Sequence, residues 1–212
     1  MKVQFCDQAE SDISSERDRH HDSNQNEENF KQPFLKTKRL NLEPIDETHA
    51  IELCDFFQDN QLHTFVPFVP TNLEEQKARC TRWALRKSPD GKEIWLNWLT
   101  RDLETKLVVG HFQAGIKDDG IASIGYVVAR KFQNRGMATE ALKIIFEYLH
   151  RDLHVTEVKA WSDTRNLASH RLAEKMGMAQ IDLVKNADFF KGSSSDEFVF
   201  SMRLNAYEEK KI

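Results

Sequence analysis

The stretch Ala122–Ala129 (ASIGYVVA), then Arg130-Lys131-Phe132, then Gln133-Asn134-Arg135-Gly136-Met137-Ala138 with Thr139-Glu140-Ala141, decides the fold. Its first part is rich in residues that suit a pleated, half-buried surface and reads as a strand. From Ala138 to Arg151 the apolar residues return at helical spacing. Ala138, Ala141, Leu142, Ile145 and Leu149 share one face, and Glu140, Lys143, Glu147 and Arg151 form a polar stripe opposite. The join is therefore a strand, a short loop with one glycine, and a helix N-terminus. Several backbone N–H groups there lack intrahelical partners and the helix dipole is positive, which suits a bound phosphate. Gly136 lets a ligand approach the backbone closely, Ala138 keeps the mouth of the turn small, and Arg130, Lys131 and Arg135 surround it. One glycine between a strand and a helix is more often an ordinary turn than an anion site. Neither G-x-x-x-x-G-K-S/T nor G-x-G-x-x-G is present, which disfavours a nucleotide triphosphatase and a dinucleotide-binding Rossmann unit.

The spacing Gln-x-x-Gly-x-Ala after a strand resembles the pyrophosphate-binding loop of the GCN5-related N-acetyltransferases, the GNAT superfamily. Thr139-Glu140-Ala141 is similar to the helix opening found there. Two further blocks stand in the matching order. Residues 37–45 (TKRLNLEPI), followed by Thr48-His49-Ala50, resemble the opening of one branch. That branch is named for the ribosomal-protein N-terminal acetylating enzymes and also includes enzymes acting on small amines. Asn166-x-x-Ser169, followed by Glu174-Lys175-x-Gly177, resembles the block beside the cofactor's pantetheine and thiol. Without the resemblance, Asn166 is equally well read as an ordinary helix N-cap. The resemblance covers roughly residues 35–204.

The bounds agree with such a domain. A chain of 212 residues can bury one substantial core. Residues 1–33 hold eight Asp/Glu against four Lys/Arg, so the rest of the chain carries 26 of each and is neutral. A neutral body with no basic run argues against nucleic acid as the main partner. No apolar stretch approaches a membrane span, and the N-terminus has no signal-peptide h-region. Cys6, Cys54 and Cys80 are widely spaced, with no C-x-x-C, and read as reduced thiols of a cytoplasmic protein without a zinc site. His20-His21 in a polar tail carries no metal reading.

Residues 1–33 are too polar to bury a face and are expected to be a disordered acidic tail; 34–204 form the domain and 205–212 a charged C-terminal tail. Leu35–Pro44 reads as a first strand, and Asp46 or Thr48 as the cap of a helix through Ala50, Leu53, Phe56 and Phe57. Pro67 and Pro70 exclude a central strand or helix interior between residues 62 and 70. Thr71 with Glu74 reads as a capping box for a helix carrying Ala78, Cys80 and Ala84. Strands follow at 94–100 and 107–116, with a polar turn at 102–105 and another at 118–120. Beyond the central helix, residues 155–161 read as a short strand, and Asn166 opens a helix that Gly177 closes. Two strands complete 178–204, with a mobile hairpin loop at 192–196.

The resemblance implies an α/β single-domain GNAT fold: a twisted mixed sheet flanked by helices, with central strands splayed between Ala129 and Val155. It implies acetyl-CoA as co-substrate, with pyrophosphate on Gln133, Asn134, Arg135, Gly136, Met137, Ala138 and Thr139. The pantetheine arm would lie along Tyr126, Val127 and Val128, beside Asn166. It also implies that the proline-bearing loop walls the acceptor site, so Phe65, Phe68 and Trp83 are expected near the acceptor. Many relatives carry a tyrosine acid one residue before a Glu-Lys pair; here that position is Ala173, and Ser169, one turn earlier, is the catalytic hydroxyl expected instead. The implied reaction is direct transfer of acetyl to a primary amine, on a protein N-terminus or a small molecule, by a monomer or homodimer without a metal. The alternative is a catalytically silent acetyl-CoA-binding regulatory module of the same fold.

Overall fold

The computed structural model describes residues 31–204; the expected acidic tail through residue 30 and the expected charged tail from 205 lie outside the described residues. The folded body begins before Phe34, because Gln32 is only 4% exposed and its Nε2 donates to Asn97 O at 3.1 Å. The single strand expected over Leu35–Pro44 is a hairpin, β1 (Leu35–Lys36) and β2 (Leu40–Pro44). Thr37 makes the turn. Its Oγ1 accepts from the N–H groups of Arg39 and Leu40 at 3.3 and 3.0 Å, replacing ladder bonds with the local ones that threonine favours.

Asp46, one of the two expected caps, starts a short 3-10 turn at Glu47–His49 that runs into α1 (Ala50–Phe57). α2 (Leu73–Ala84) begins one residue later than expected. The reciprocal capping pair is Asn72 with Glu75, both bonds at 3.0 Å, while the Thr71 hydroxyl donates to Gln76 Oε1. The antiparallel strands β3 (Glu93–Asp102), β4 (Val108–Lys117) and β5 (Ile121–Val128) follow. α3 (Met137–Arg151) crosses over to β6 (Glu157–Asp163), which runs parallel to β5. α4 (Leu167–Lys175) leads to the hairpin β7 (Ala179–Phe190) and β8 (Ser193–Arg203). The resulting sheet has eight strands in the order β1-β2-β3-β4-β5-β6-β8-β7.

Two boundaries move for physical reasons. Val155 belongs to the core, not to a strand: it is fully buried and its N–H closes on Leu149 O at 2.9 Å. The loop expected over 192–196 contracts to a tight turn at Lys191 and Gly192, both at positive φ (51° and 77°), and Ser193–Ser195 pair with β7.

Helices cover both faces of the sheet centre, so β3 is buried on both sides. Leu96 and Trp98 join Ala141, Leu142, Ile145, Phe146 and Leu149 of α3 in the larger core. Leu99 joins Leu53, Phe57, Cys80 and Trp83 of α1 and α2 in a second one. Alternation along the strand dictates this division. Each of these large side chains contributes about 1.5–3 kcal/mol by leaving water, which fixes α3, and hence the loop before it, against the sheet.

Candidate active site

The loop expected to bind phosphate is held open by its own backbone. Asn134 and Gly136 adopt left-handed conformations (φ 58° and 75°) with Arg135 between them. Gly136 is the N-cap of α3 and no side chain caps the helix. Glu140 N is the donor that closes on Gly136 O at 3.0 Å, so the amides of Met137, Ala138 and Thr139 precede the helical ladder. Left-handed residues alternating in this way form anion-binding concavities. Buried Phe132 anchors the loop on one side, and Gln133 Nε2 donates to Val128 O at 2.9 Å on the other. Arg39 braces it from the turn between β1 and β2. Its Nη1 donates to Arg135 O at 3.2 Å, and its guanidinium pairs with Glu140 at 2.6 Å. Thr37 adds a hydroxyl bond to Glu140 at 2.6 Å. Burial alone would raise the Glu140 carboxyl, but these bonds hold it below its usual range, so the one acid in the first turn is neutralised by partners.

The strand expected to splay does so. β5 pairs with β6 only through Ile121, Ala122 and Ser123. Past Ser123 the two strands separate, and the gap opens into a cleft lined by Ile124, Gly125 and Tyr126 on one bank and Ala160, Trp161 and Ser162 on the other. Val127 is 6% exposed and Val128 packs against the larger core, so neither side chain faces the cleft; only their backbone could serve a ligand.

Asn166 and Ser169 both line this cleft. Asn166 is the N-cap of α4, its Oδ1 accepting from Ser169 N at 3.2 Å. Ser169 Oγ lies 2.9 Å from Tyr126 Oη, across 43 residues of chain. Burial pushes the Tyr126 phenol above its ordinary value, partly offset by the Ser169 hydroxyl. Ala173, which stands at the position expected for a tyrosine acid, is 4% exposed and packs in the larger core.

The acceptor aromatics divide. Phe65 lines the cleft with Val66 and Pro67, as expected of the proline-stiffened loop. Phe68 and Trp83 do not. Phe68 stacks on His63 (4.3 Å) and on Phe57 (4.7 Å), and Trp83 stacks on His111 (4.7 Å), all inside the second core. The apolar face of α2 turns toward the sheet, so Trp83 fills the core and is unavailable to a substrate.

Three carboxylates that sequence reading did not select line the cleft: Asp163 at the end of β6, Asp188 on β7 and Glu197 on β8. Asp163 is structural. Burial would raise its pKa, but Arg165 and the Ser195 hydroxyl (2.6 Å) hold it at about 2. Asp188 and Glu197 gave only an alternating pattern in a polar hairpin, and nothing local says which face meets the cleft. Lys191 at the hairpin tip bonds His63 O, joining the β7–β8 arm to the proline-bearing loop across the cleft.

Known proteins are similar to the chain over most of its length. The uncharacterized N-acetyltransferase p20 of Bacillus licheniformis is 21% identical over 82% of this chain and 97% of its own. The ribosomal protein uS5-alanine N-acetyltransferase of Escherichia coli (strain K12) is 22% identical over 79% of this chain and 89% of its own. Among solved structures, the ribosomal L7/L12 alpha-N-protein acetyltransferase RimL in complex with coenzyme A superposes with a TM-score of 0.74 at 18% identity. That match covers 82% of this chain and 99% of the other. The family model of the GNAT acetyltransferase domain matches residues 39–179, which span the β2 strand, the phosphate loop and α4. The chain belongs to the GNAT acetyltransferase family.

Proposed function

We propose that the protein transfers the acetyl group of acetyl-CoA directly to a primary amine, on a protein N-terminus or a small molecule. The names of the E. coli relative and of the RimL structure favour the protein N-terminus. The observation that carries the reading is the gap past Ser123, where β5 has left β6 and the cleft that opens is lined by Tyr126, Asn166 and Ser169. The backbone fits the co-substrate. Amides of Arg135 to Thr139 would hold the pyrophosphate, and the β5 edge that has left β6, where Gln133 already occupies Val128 O, would hold the pantetheine arm along Tyr126. Bound acetyl-CoA supplies an activated thioester carbonyl.

The chain supplies the rest. A backbone amide near Val128 would stabilise the oxyanion, and Ser169 would present its hydroxyl to the leaving sulfur. Asp188 and Glu197 line one wall with carboxylates, which favours a cationic amine. Phe65 supplies an apolar surface beside them. Among the described residues no cysteine lines the cleft, which supports direct attack over an acyl-enzyme.

Free-thiol release from acetyl-CoA, measured across N-terminal peptides and small amines, tests the reaction and ranks the acceptors. Ser169→Ala is expected to lower kcat by about 10²-fold or less while acetyl-CoA affinity stays constant. No turnover with any amine, despite tight acetyl-CoA binding, would instead identify a silent binding module.

A further inference from the structure

Tyr126 and Ser169 meet hydroxyl to hydroxyl at 2.9 Å, from β5 and α4, at the point where β5 has left β6. Both line the cleft. A serine hydroxyl carries one proton. If Ser169 donated it to Tyr126, none would remain for the cleft, so the useful arrangement is the reverse one. A phenol is also the stronger acid of the two and the better donor. The Tyr126 ring is fixed by near-parallel contact with Phe112 (6.1 Å between centroids, 27° between planes), so its Oη has little freedom to leave Ser169. Tyr148, by contrast, packs edge-on against Trp98 in the larger core.

We propose that Tyr126 is a positioning residue that donates its hydroxyl proton to Ser169, aims the serine proton into the cleft and restores it after each turnover. This rests on Ser169 being the hydroxyl that meets the leaving sulfur. The protons balance. As the carbon–sulfur bond breaks, the sulfur takes the Ser169 proton and Ser169 takes the Tyr126 proton. Tyr126 recovers one, through water, from the nitrogen that loses a proton on forming the amide. Burial keeps the phenol protonated at neutral pH, so the donor is loaded before the reaction begins.

Tyr126→Phe retains the ring and its packing and removes only the oxygen. It is expected to lower kcat about tenfold, less than the 10²-fold of a full acid–base group, with the KM for acetyl-CoA unchanged and the thermal midpoint lowered by about 2–4 °C, as for the loss of one buried hydrogen bond. Added to Ser169→Ala, it is expected to cause no further loss. A second readout needs no co-substrate. The chain has three tyrosines, so ¹³Cζ labelling gives three signals. Ser169→Ala should move the Tyr126 titration to higher pH and leave the other two in place, because the serine hydroxyl favours the phenolate. Additive losses in the double variant, or a Tyr126 signal indifferent to Ser169→Ala, would overturn the proposal. A slow Ser169→Ala beside a wild-type Tyr126→Phe removes the Tyr126 role alone. A Ser169→Ala variant at wild-type rate removes the role of Ser169, and that of Tyr126 with it.

Discussion

Gly136 gives the phosphate loop its most direct test, because strain and space can be separated there. At φ 75° the residue sits in the left-handed region, and a Cβ would find only Arg39 Nη2 at 3.7 Å, an ordinary contact. Substitution therefore costs backbone strain and no clash, roughly 1–2 kcal/mol for a residue with a Cβ and more for a β-branched one. If the loop relaxes out of the left-handed form to escape that strain, only a fraction of molecules keeps the binding geometry. The apparent Kd for acetyl-CoA then rises by the inverse of that fraction, about 5- to 30-fold for 1–2 kcal/mol. Gly120 is the matched control. It has the same φ of 75° in the β4–β5 turn, with Thr156 Oγ1 at 3.6 Å from a would-be Cβ. Gly120→Ala should lower the thermal midpoint by about 2–4 °C per kcal/mol, as Gly136→Ala does where the loop keeps its form. Only Gly136→Ala and, more strongly, Gly136→Val should weaken binding in titration calorimetry. A Gly136→Val protein that binds acetyl-CoA like the wild type would refute the assignment of the pyrophosphate to this loop.

Two further expectations concern stability. His111 is fully buried, bonded to Asn97 Oδ1 at 3.0 Å, and desolvation pushes its pKa from the ordinary 6.5 down to about 3. The unfolded chain thus binds more protons than the folded one between those values, so stability is full above pH 6.5 and declines as pH falls toward 3. Buried His63, also shifted downward by desolvation, adds a slope of the same sign. Urea midpoints of His111→Gln across pH 4–6 should lose about one proton of slope, roughly 1.4 kcal/mol per pH unit, and an unchanged slope would show that His111 is not the titrating group. In a truncation series, removing residues 1–30 should leave thiol release and the thermal midpoint intact, since their composition cannot build a core. Extending the deletion through residue 33 removes the buried Gln32 bond to Asn97 O and should cost about 1 kcal/mol; equal midpoints for the two deletions would assign that bond no net value.

What the sequence made legible was local. The strand, loop and helix at 122–151 could be read because the determinants lie within one turn of one another: Gly136 at the left-handed cap, and the apolar stripe of α3 behind it. Asn166 was legible for the same reason, since a cap and the amide it accepts are three residues apart. The Thr71–Glu74 box failed by one residue because Asn72 and Glu75 satisfy the same spacing, and only the competing Thr71–Gln76 bond decides between them. The acceptor wall was less legible, because an aromatic side chain fits a core and a substrate site equally well. Phe65 and Phe68 are three residues apart in one loop, yet Phe68 is drawn under the domain by His63, Phe57 and Arg79, whose ring and cation contacts come from three other segments.

The same distance rule explains why the chemistry of the cleft emerged only in three dimensions. The Tyr126–Ser169 pair spans 43 residues, and Asp188 and Glu197 reach the cleft on a hairpin whose inner strand, β8, pairs with β6. Asp188 and Glu197 carry no spacing signal of their own, and the signal that singled out Ser169 says nothing of its pairing with Tyr126. What brings them together is the sheet order, in which β8 lies beside β6 and β6 parts from β5 after three residues. That parting exposes strand edge without exposing core, because α3 and α4 still cover one face and the second core still fills the other. An unpaired edge flanked by rigid packing can offer backbone partners to an extended ligand at no cost in folding. The parting of β5 from β6 is therefore the feature on which the hydroxyl pair and the acidic wall converge, and a substitution that re-zips those strands is expected to abolish thiol release from acetyl-CoA.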